Sequence, residues 1–501
     1  MGQTGRKLNG SEKPSRREFL KKTAGAAIAA PFIAGCSKTT VNAGKRRNIV
    51  FILSDDHRYD AMSFMGHPLA QTPNMDRLAR DGIHFQNAFV TTSLCSPSRA
   101  SILSGQYAHT HGVLNNSTLL PEDTLTFPEA LQGAGYRTGF VGKWHMGGSS
   151  DDPRPGFDHW VSFRGQGPYF DPTFNVDGEH VERQGYTADL ITEYSVDFVE
   201  KNKDRPFMLY MSHKNVHGMF EPAPRHAGKL KNTPVPHPAT MADTKENYRG
   251  KPKWLKGQRN TWHGVDGMYN NRIDFDTFGR LYGECLMGLD DSVGVLTETL
   301  EKNGLLDDTL IIYMGDNGFM FGEHGLIDKR AMYEPSIRVP FLAHCPALSE
   351  GGRKVDELTL NIDVAPTIMT AAGVDIPAQM QGQSFLPLVE GRETDWRGEF
   401  VYVYFWERAY PQTPTVLGLR TDKYSYMRYH GVFDINELYD MEVDPDQTNN
   451  LLGGVDYTTQ GGPFNGQIQD RELRGLVDEL EKKLFGMLGE TGAMIEPSWR
   501  V

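Results

Sequence analysis

Five apolar runs, each stopping on polar or charged side chains, do most to limit the folds open to this chain. The first, Asn48-Ile49-Val50-Phe51-Ile52-Leu53-Ser54, breaks onto Asp55-Asp56, and the others are Thr138–Val141, Pro206–Met211, Thr309–Met314 and Val339–His344. A half-exposed strand alternates apolar with polar residues. Unbroken runs of this length suit strands buried on both faces, as in a parallel sheet. Helical segments lie between them. Thr72-Pro73 opens one and Gly82 closes it, while Tyr186–Asn202 and Phe278–Gly304 are longer amphipathic stretches. Strands alternating with helices predict an α/β architecture, a mostly parallel sheet flanked by helices. With 501 residues and 39% hydrophobic content, the chain can bury a large core and form two domains.

The organisation follows from changes in composition. Residues 1–36 carry targeting signals and 37–45 are a short polar tether. Ser15-Arg16-Arg17-Glu18-Phe19-Leu20-Lys21 is a twin-arginine export pattern, and the apolar run Ala24–Phe32 is too short for a spanning helix. Ile33-Ala34-Gly35-Cys36 resembles a bacterial lipobox with Cys36 as the lipidated first residue; a plain cleavable signal is the alternative. The expected destination is the periplasm or cell surface, with the membrane reached through the lipid anchor. Residues 46–395 form the main domain. Within it, 221–275 is rich in Pro, Lys, His, Asn and Gly and is expected to be an insertion folded over the sheet edge. Residues 396–501 supply short strands at Phe400–Trp406, Val416–Arg420, Tyr424–Tyr429 and Glu437–Asp440, then an amphipathic helix, Asp470–Leu488. That pattern predicts a smaller α+β domain of antiparallel strands plus a helix.

Charge and cysteines narrow the function classes. A formal net charge of −12 argues against nucleic acid as a partner, although a basic pocket can sit in an acidic surface. The four cysteines are Cys36, Cys95, Cys285 and Cys345. With the first lipidated and the second committed to chemistry, no disulfide framework is expected.

Ligands of open α/β sheets bind beyond the carboxyl ends of the strands, so the residues ending each run matter. The first run ends in Asp55-Asp56, and the Thr138 run continues into Gly142-Lys143-Trp144-His145. The Pro206 run leads to His213 and His217, and the Thr309 run to Gly315-Asp316-Asn317-Gly318, then Gly322-Glu323-His324-Gly325 and Lys329. Adjacent aspartates after a strand are commonly turn formers. Three carboxylates and an amide from two strand ends, however, make a hard oxygen site that suits Ca²⁺ or Mg²⁺ better than zinc. The lysines and histidines nearby can bind an anion and move protons.

With these residues in place, Cys95-Ser96-Pro97-Ser98-Arg99 resembles the C-x-P-x-R signature of type I sulfatases, members of the alkaline-phosphatase-like superfamily. Asp55-Asp56, Gly142-Lys143-Trp144-His145, Asp316-Asn317-Gly318 and Gly322-Glu323-His324-Gly325 with Lys329 and Tyr333-Glu334 follow the same family pattern in order. The resemblance implies a bacterial polysaccharide sulfatase acting on sulfated carbohydrate such as ulvan, carrageenan, fucoidan or glycosaminoglycan. It implies that a formylglycine-generating enzyme oxidises Cys95 to Cα-formylglycine (3-oxoalanine). The hydrated aldehyde has a built-in exit, because after accepting sulfate it can collapse back and expel it, whereas a sulfated serine or cysteine would be stable.

Roles carry over on the same resemblance. Asp55, Asp56, Asp316 and Asn317 would hold one Ca²⁺, or less readily Mg²⁺, with an oxygen of modified Cys95. Arg99 would orient the gem-diol, and Lys143 and Lys329 would clamp sulfate. His217 would protonate the leaving alcohol and bind substrate, His145 would remove the second hydroxyl proton, and His324 would contact substrate or support the metal loop. The chain departs from the family at Val216-His217-Gly218-Met219, which leaves His213 as the alternative acid, and at Met146, where leucine is common. Arg225, His226, Lys229, Trp254, Trp262, His263, Trp406 and Arg408 are further candidate sugar contacts. Three rival functions remain: a phosphatase or phosphonate monoester hydrolase on the same scaffold, a non-catalytic binder of sulfated glycans, and a cysteine hydrolase pairing Cys95 with His145 or His217.

Overall fold

The computed structural model describes residues 46–146, 148, 150–430, 434–455 and 468–493. The signal region, the tether and Cys36 lie outside them. Among the described residues, the central sheet has ten strands. Five adjacent strands at its middle are mutually parallel, in the order Thr309–Gly315, Asn48–Ser54, Phe207–Ser212, Arg137–Lys143 and His159–Phe163. Four of the five apolar runs are therefore the parallel core. The fifth run departs from the expectation. Its strand, Phe341–His344, pairs antiparallel with Thr309–Gly315. The short strands Thr173–Val176 and Glu179–Glu182 extend the opposite side, also antiparallel. These border strands are brief, so their sequence periodicity is too weak to set direction.

Alternate residues of the central strands face two apolar layers. Val50, Ile52, Leu209, Met211, Ile311 and Tyr313 pack with helices Thr187–Asn202 and Phe275–Lys302. Ile49, Phe51, Leu53, Met208, Tyr210 and Ile312 pack against helices Cys95–Ser104, Phe127–Gly133 and Val364–Ala372. Both faces are dry, which explains the lack of polar alternation. Pro73–Asp81 is helical as expected, but Thr72 makes no side-chain cap; the free backbone N–H groups of Asn74 and Met75 instead donate to Asp290, at 3.1 and 2.8 Å.

The C-terminal sheet is an antiparallel meander of Glu399–Tyr404, Thr415–Thr421, Tyr424–His430 and Glu437–Asp440, followed by helix Arg471–Glu490. Val477, Leu480, Leu484 and Leu488 share a core with these strands and with Leu326, Met332 and Tyr333 of the main domain. The insertion is shared between the two domains. Ala223, Leu230 and Met268 pack with the helix Phe275–Lys302 on the large sheet, whereas its middle is held on the C-terminal sheet: Asn450 Nδ2 donates to the Gly250 carbonyl at 2.8 Å, and the Trp254 ring meets Tyr429 at 5.6 Å. Buried aromatic area supplies the attraction. No described helix is long and apolar enough to cross a membrane, and Cys95, Cys285 and Cys345 are free thiols.

Candidate active site

Strand register builds the site. Ser54 lies opposite Gly315, and Gly142 opposite Ser212. The next residues, Asp55, Asp316, Lys143 and His213, therefore leave the sheet at one edge. Gly142 permits this closeness: a Cβ there would come 1.8 Å from the Ser212 carbonyl oxygen. Cys95 opens the helix Cys95–Ser104 from the loop above, with its Sγ 3.7 Å from Asp55 Oδ1.

Arg99, one turn into that helix, is buried and spans the cluster. Its Nε donates to Asp316 Oδ2 at 2.9 Å, Nη1 to the Lys143 carbonyl at 2.7 Å and Ser212 Oγ at 2.8 Å, and Nη2 to Asp55 Oδ2 at 3.4 Å. Lys143 Nζ donates to Asp55 Oδ2 and to Gln166 Oε1, and Lys329 Nζ donates to Asp56 Oδ1. Asn317 Nδ2 donates to Asp56 Oδ1 at 2.7 Å and to the Gly318 carbonyl at 2.8 Å. Its Oδ1 is buried without a hydrogen-bond partner. Such an orphan acceptor demands an explanation. The explanation is at hand: Asp55, Asp56 and Asp316 offer carboxylate oxygens within 4.8 Å of one another. Hard oxygen donors with one unsatisfied acceptor among them fit a Ca²⁺ or Mg²⁺ ion.

The electrostatics are those of a buried charge cluster. Burial pushes Asp316 up to about 6, with the charge of Asp55 adding to it. Burial works in the same direction on Asp55, but Lys143, His217, Arg99 and Lys329 outweigh it and hold that carboxyl well below the ordinary range. Burial opposes the charge on Lys329, yet Asp56 and its neighbours keep the ammonium well above its usual value. The Cys95 thiol is driven up to about 12, chiefly by burial. An unmodified thiol here stays protonated at neutral pH and is a poor nucleophile, which removes support from the cysteine-hydrolase reading.

The histidines separate clearly. His217 reaches the cluster, with Nε2 3.9 Å from Asp56 Oδ2 and Nδ1 fixed on the Gly218 carbonyl at 2.6 Å. It groups with Asp55 and Cys95, whereas both ring nitrogens of His213 are buried without partners. His145 sits beside Lys143 with a left-handed backbone (φ 51°), its carbonyl accepting from Ser96 Oγ and its Nδ1 buried and unpartnered. Burial lowers the basicity of all three. The buried ring of His324 lies on Tyr333, centroids 4.3 Å apart.

The candidate sugar contacts sort as cleanly. Arg225 is paired with Asp189 and Asp291, His226 with Asp291, and Lys229 with His226, all on the outer helical surface. Trp254, partly buried, packs against the C-terminal core. Trp262 and His263 line a cleft beside Lys329, while Trp406 is half exposed and Arg408 exposed. Sequence reasoning passed over Gln166, a loop amide with no pattern to mark it, and Tyr169, whose hydroxyl donates to the His217 carbonyl at 2.7 Å.

A parallel α/β sheet ending in a buried carboxylate cluster, with a cysteine-headed helix above it and a smaller C-terminal sheet, is the architecture of the alkaline-phosphatase-like superfamily. Within it, the chain belongs to the sulfatase family, whose model "Sulfatase" matches residues 47–374, and it is a sulfuric ester hydrolase. A second model, "N-sulphoglucosamine sulphohydrolase, C-terminal", matches residues 322–472. The N-acetylglucosamine-6-O-sulfatase of Bacteroides thetaiotaomicron is 35% identical, covering 91% of this chain and 90% of that protein. The N-acetylglucosamine-6-sulfatase of Homo sapiens is 30% identical, covering 83% of each. Among solved structures, BT4656 in complex with its substrate D-glucosamine-2-N,6-O-disulfate superposes with a TM-score of 0.81 at 32% identity, covering 89% of this chain and 98% of that one. The phosphatase and phosphonate readings are not favoured.

Proposed function

We propose that this sulfatase removes sulfate from a 6-O-sulfated glucosamine unit of a sulfated carbohydrate, using Ca²⁺ and a formylglycine made from Cys95. The observation that carries the reading is the meeting of Cys95 with three buried carboxylates and the unpartnered Asn317 Oδ1. The substrate reading is supported by the two N-acetylglucosamine 6-sulfatases that match along most of the chain.

Asp55, Asp56, Asp316 and Asn317 would hold the ion, which supplies Lewis-acid polarisation of sulfate oxygens and acidifies a bound hydroxyl. A hydrated formylglycine at position 95 would supply two geminal hydroxyls, one a nucleophile toward sulfur and the other a proton donor whose deprotonation favours sulfate release. Arg99 fixes Asp55 and Asp316 and offsets their charge. Lys143 and Lys329 each trade a carboxylate contact for a sulfate oxygen. His217, with Nδ1 held by Gly218, presents Nε2 to the leaving alcohol, and His145 presents its unpartnered Nδ1 to the second hydroxyl. His324 supports the loop through Tyr333.

The formylglycine-generating enzyme is the partner required before catalysis. Export by the twin-arginine route and lipidation at Cys36 would leave the enzyme periplasmic or at the cell surface. Sulfate release from N-acetylglucosamine 6-sulfate, by protein whose residue 95 has been weighed by mass spectrometry, tests the whole reading. An active enzyme with an intact sulfhydryl would overturn the mechanism, and release from other sulfate esters alone would overturn the substrate.

A further inference from the structure

A cleft of about 790 Å³ opens between the insertion and the loop that follows the first C-terminal strand, lined by residues that include Asn260, Trp262, Asn270, Tyr410 and Gln412. It adjoins the proposed sulfate site on two sides. His263, in its wall, has Nδ1 3.1 Å from Asp328 Oδ2, one residue before Lys329, and the Arg330 guanidinium, one residue after, lies 4.0 Å from the Tyr410 ring centroid. On the other side, Tyr269 meets Trp262 edge to face, with centroids 5.0 Å apart, and its hydroxyl would sit 2.5 Å from a Cβ at Gly218, next to His217.

The chemistry of this cleft is unlike that of the cluster it adjoins. None of its lining residues is Asp, Glu, Lys or Arg. The lining residue His263 is held neutral, well below its usual pKa, by burial first and by Arg330 and Lys329 second. Beneath it, Arg330 is already matched by Asp328 and Glu407, each at 2.8 Å. Arg330 is thus spoken for by carboxylates rather than free to pair with an anionic sugar. Arg259, at the base of the insertion wall, is paired with Asp266, and the neighbouring Arg272 and Arg408 are not part of the lining. Exposed amides on Asn260, Asn270 and Gln412 can each donate and accept, and two aromatic faces offer apolar area.

Resting on the sulfatase reading of the adjoining site, we propose that this cleft is a subsite for the sugar next to the sulfated unit, and that it selects an uncharged sugar over an anionic one. Amides and hydroxyls pair with amides, and the apolar face of a pyranose lies on Trp262 or Tyr410. A uronate or second sulfate brought here would lose hydration and meet no cation among the residues that line the cleft.

Calorimetric binding to full-length Cys95→Ala protein tests this without depending on turnover. The probes are N-acetylglucosamine 6-sulfate alone, the same ester linked to galactose, and the same ester linked to glucuronate. The galactose conjugate should bind about 10-fold more tightly than the monosaccharide, equivalent to ~1.4 kcal/mol, and the glucuronate conjugate no more tightly. Trp262→Ala and Gln412→Ala should each remove that gain while leaving monosaccharide affinity within about 2-fold, since neither residue touches the sulfate site. Equal affinity for all three probes, tighter glucuronate binding, or variants that weaken the monosaccharide as much would overturn the subsite. Lack of sulfate release by the modified wild type, with the binding differences intact, would defeat the catalytic reading and leave the subsite standing.

Discussion

Two buried carboxylate sites in this fold have opposite states of completion. In the C-terminal sheet, Glu437 accepts from the hydroxyls of Tyr333, Tyr429 and Tyr439, and Lys251 lies 3.6 Å away. Every oxygen there is spoken for. At the strand ends, Asp55, Asp56 and Asp316 are held by Lys143, Lys329 and Arg99, yet Asn317 Oδ1 has no partner and the carboxylates crowd within 4.8 Å. Burial of charge is therefore no guide to function by itself. The closed cluster fastens the insertion, the loop after Lys329 and the C-terminal strands into one body. The open one keeps unused acceptor capacity for a ligand.

The sharpest test of that contrast is Cys95→Ala, which removes the group beside the open cluster. It should abolish sulfate release, by on the order of 10⁴-fold or more, and leave the thermal midpoint near wild type. Residual high activity in that variant would break the comparison at its centre. Asp316→Ala should lower metal affinity by more than the ~10–100-fold typical of an outer supporting partner, with activity lost in parallel; undiminished Ca²⁺ by metal analysis would remove Asp316 from the site.

Glu437→Gln attacks the closed cluster. It leaves the Lys251 ammonium buried with no anion, which costs ~3–5 kcal/mol of stability in chemical denaturation, and turnover per folded molecule should persist. A smaller effect reads the same lysine through pH. Burial lowers Lys251 to about 8 from 10.5, with Glu437 opposing only part of the shift. The folded state then binds fewer protons than the unfolded state between these values, so this group's contribution to stability rises with pH across that window. The tyrosines around Glu437 are raised above 10 and act in the reverse sense beyond it. The wild type should accordingly gain stability relative to Lys251→Met from about pH 8 to pH 10, and a flat difference would remove Lys251 from the network's charge balance. Last, Arg225→Ala breaks only exposed pairs with Asp189 and Asp291. It should shift stability by less than ~1 kcal/mol and leave sulfate release unchanged; a raised KM would return Arg225 to the list of sugar contacts.

The strands that carry the site were plain in the chain because both faces of the sheet are dry, and unbroken runs such as Asn48–Ser54 have few other uses. The direction of Phe341–His344 was not, since three apolar residues and a histidine carry no mark of which way they run. Within the site, motif residues were legible in advance: Cys95, Arg99, Lys143 and Lys329 all converge on the aspartates. Gln166 and Tyr169 were not, because a single amide or phenol in a loop has no periodicity. The fates of Trp254 and Trp262 were also hidden. Eight residues apart in one insertion, the first packs against the C-terminal core and the second faces the cleft.

By itself, then, the sequence determined the α/β class, the edge where charge collects and the family, since these rest on residue type and order, which survive in one dimension. Tertiary structure alone decided which charges are satisfied. Whether Glu437 meets three hydroxyls, or Asn317 is left with an empty acceptor, depends on distances between segments far apart in the chain, and only the packed fold sets those distances.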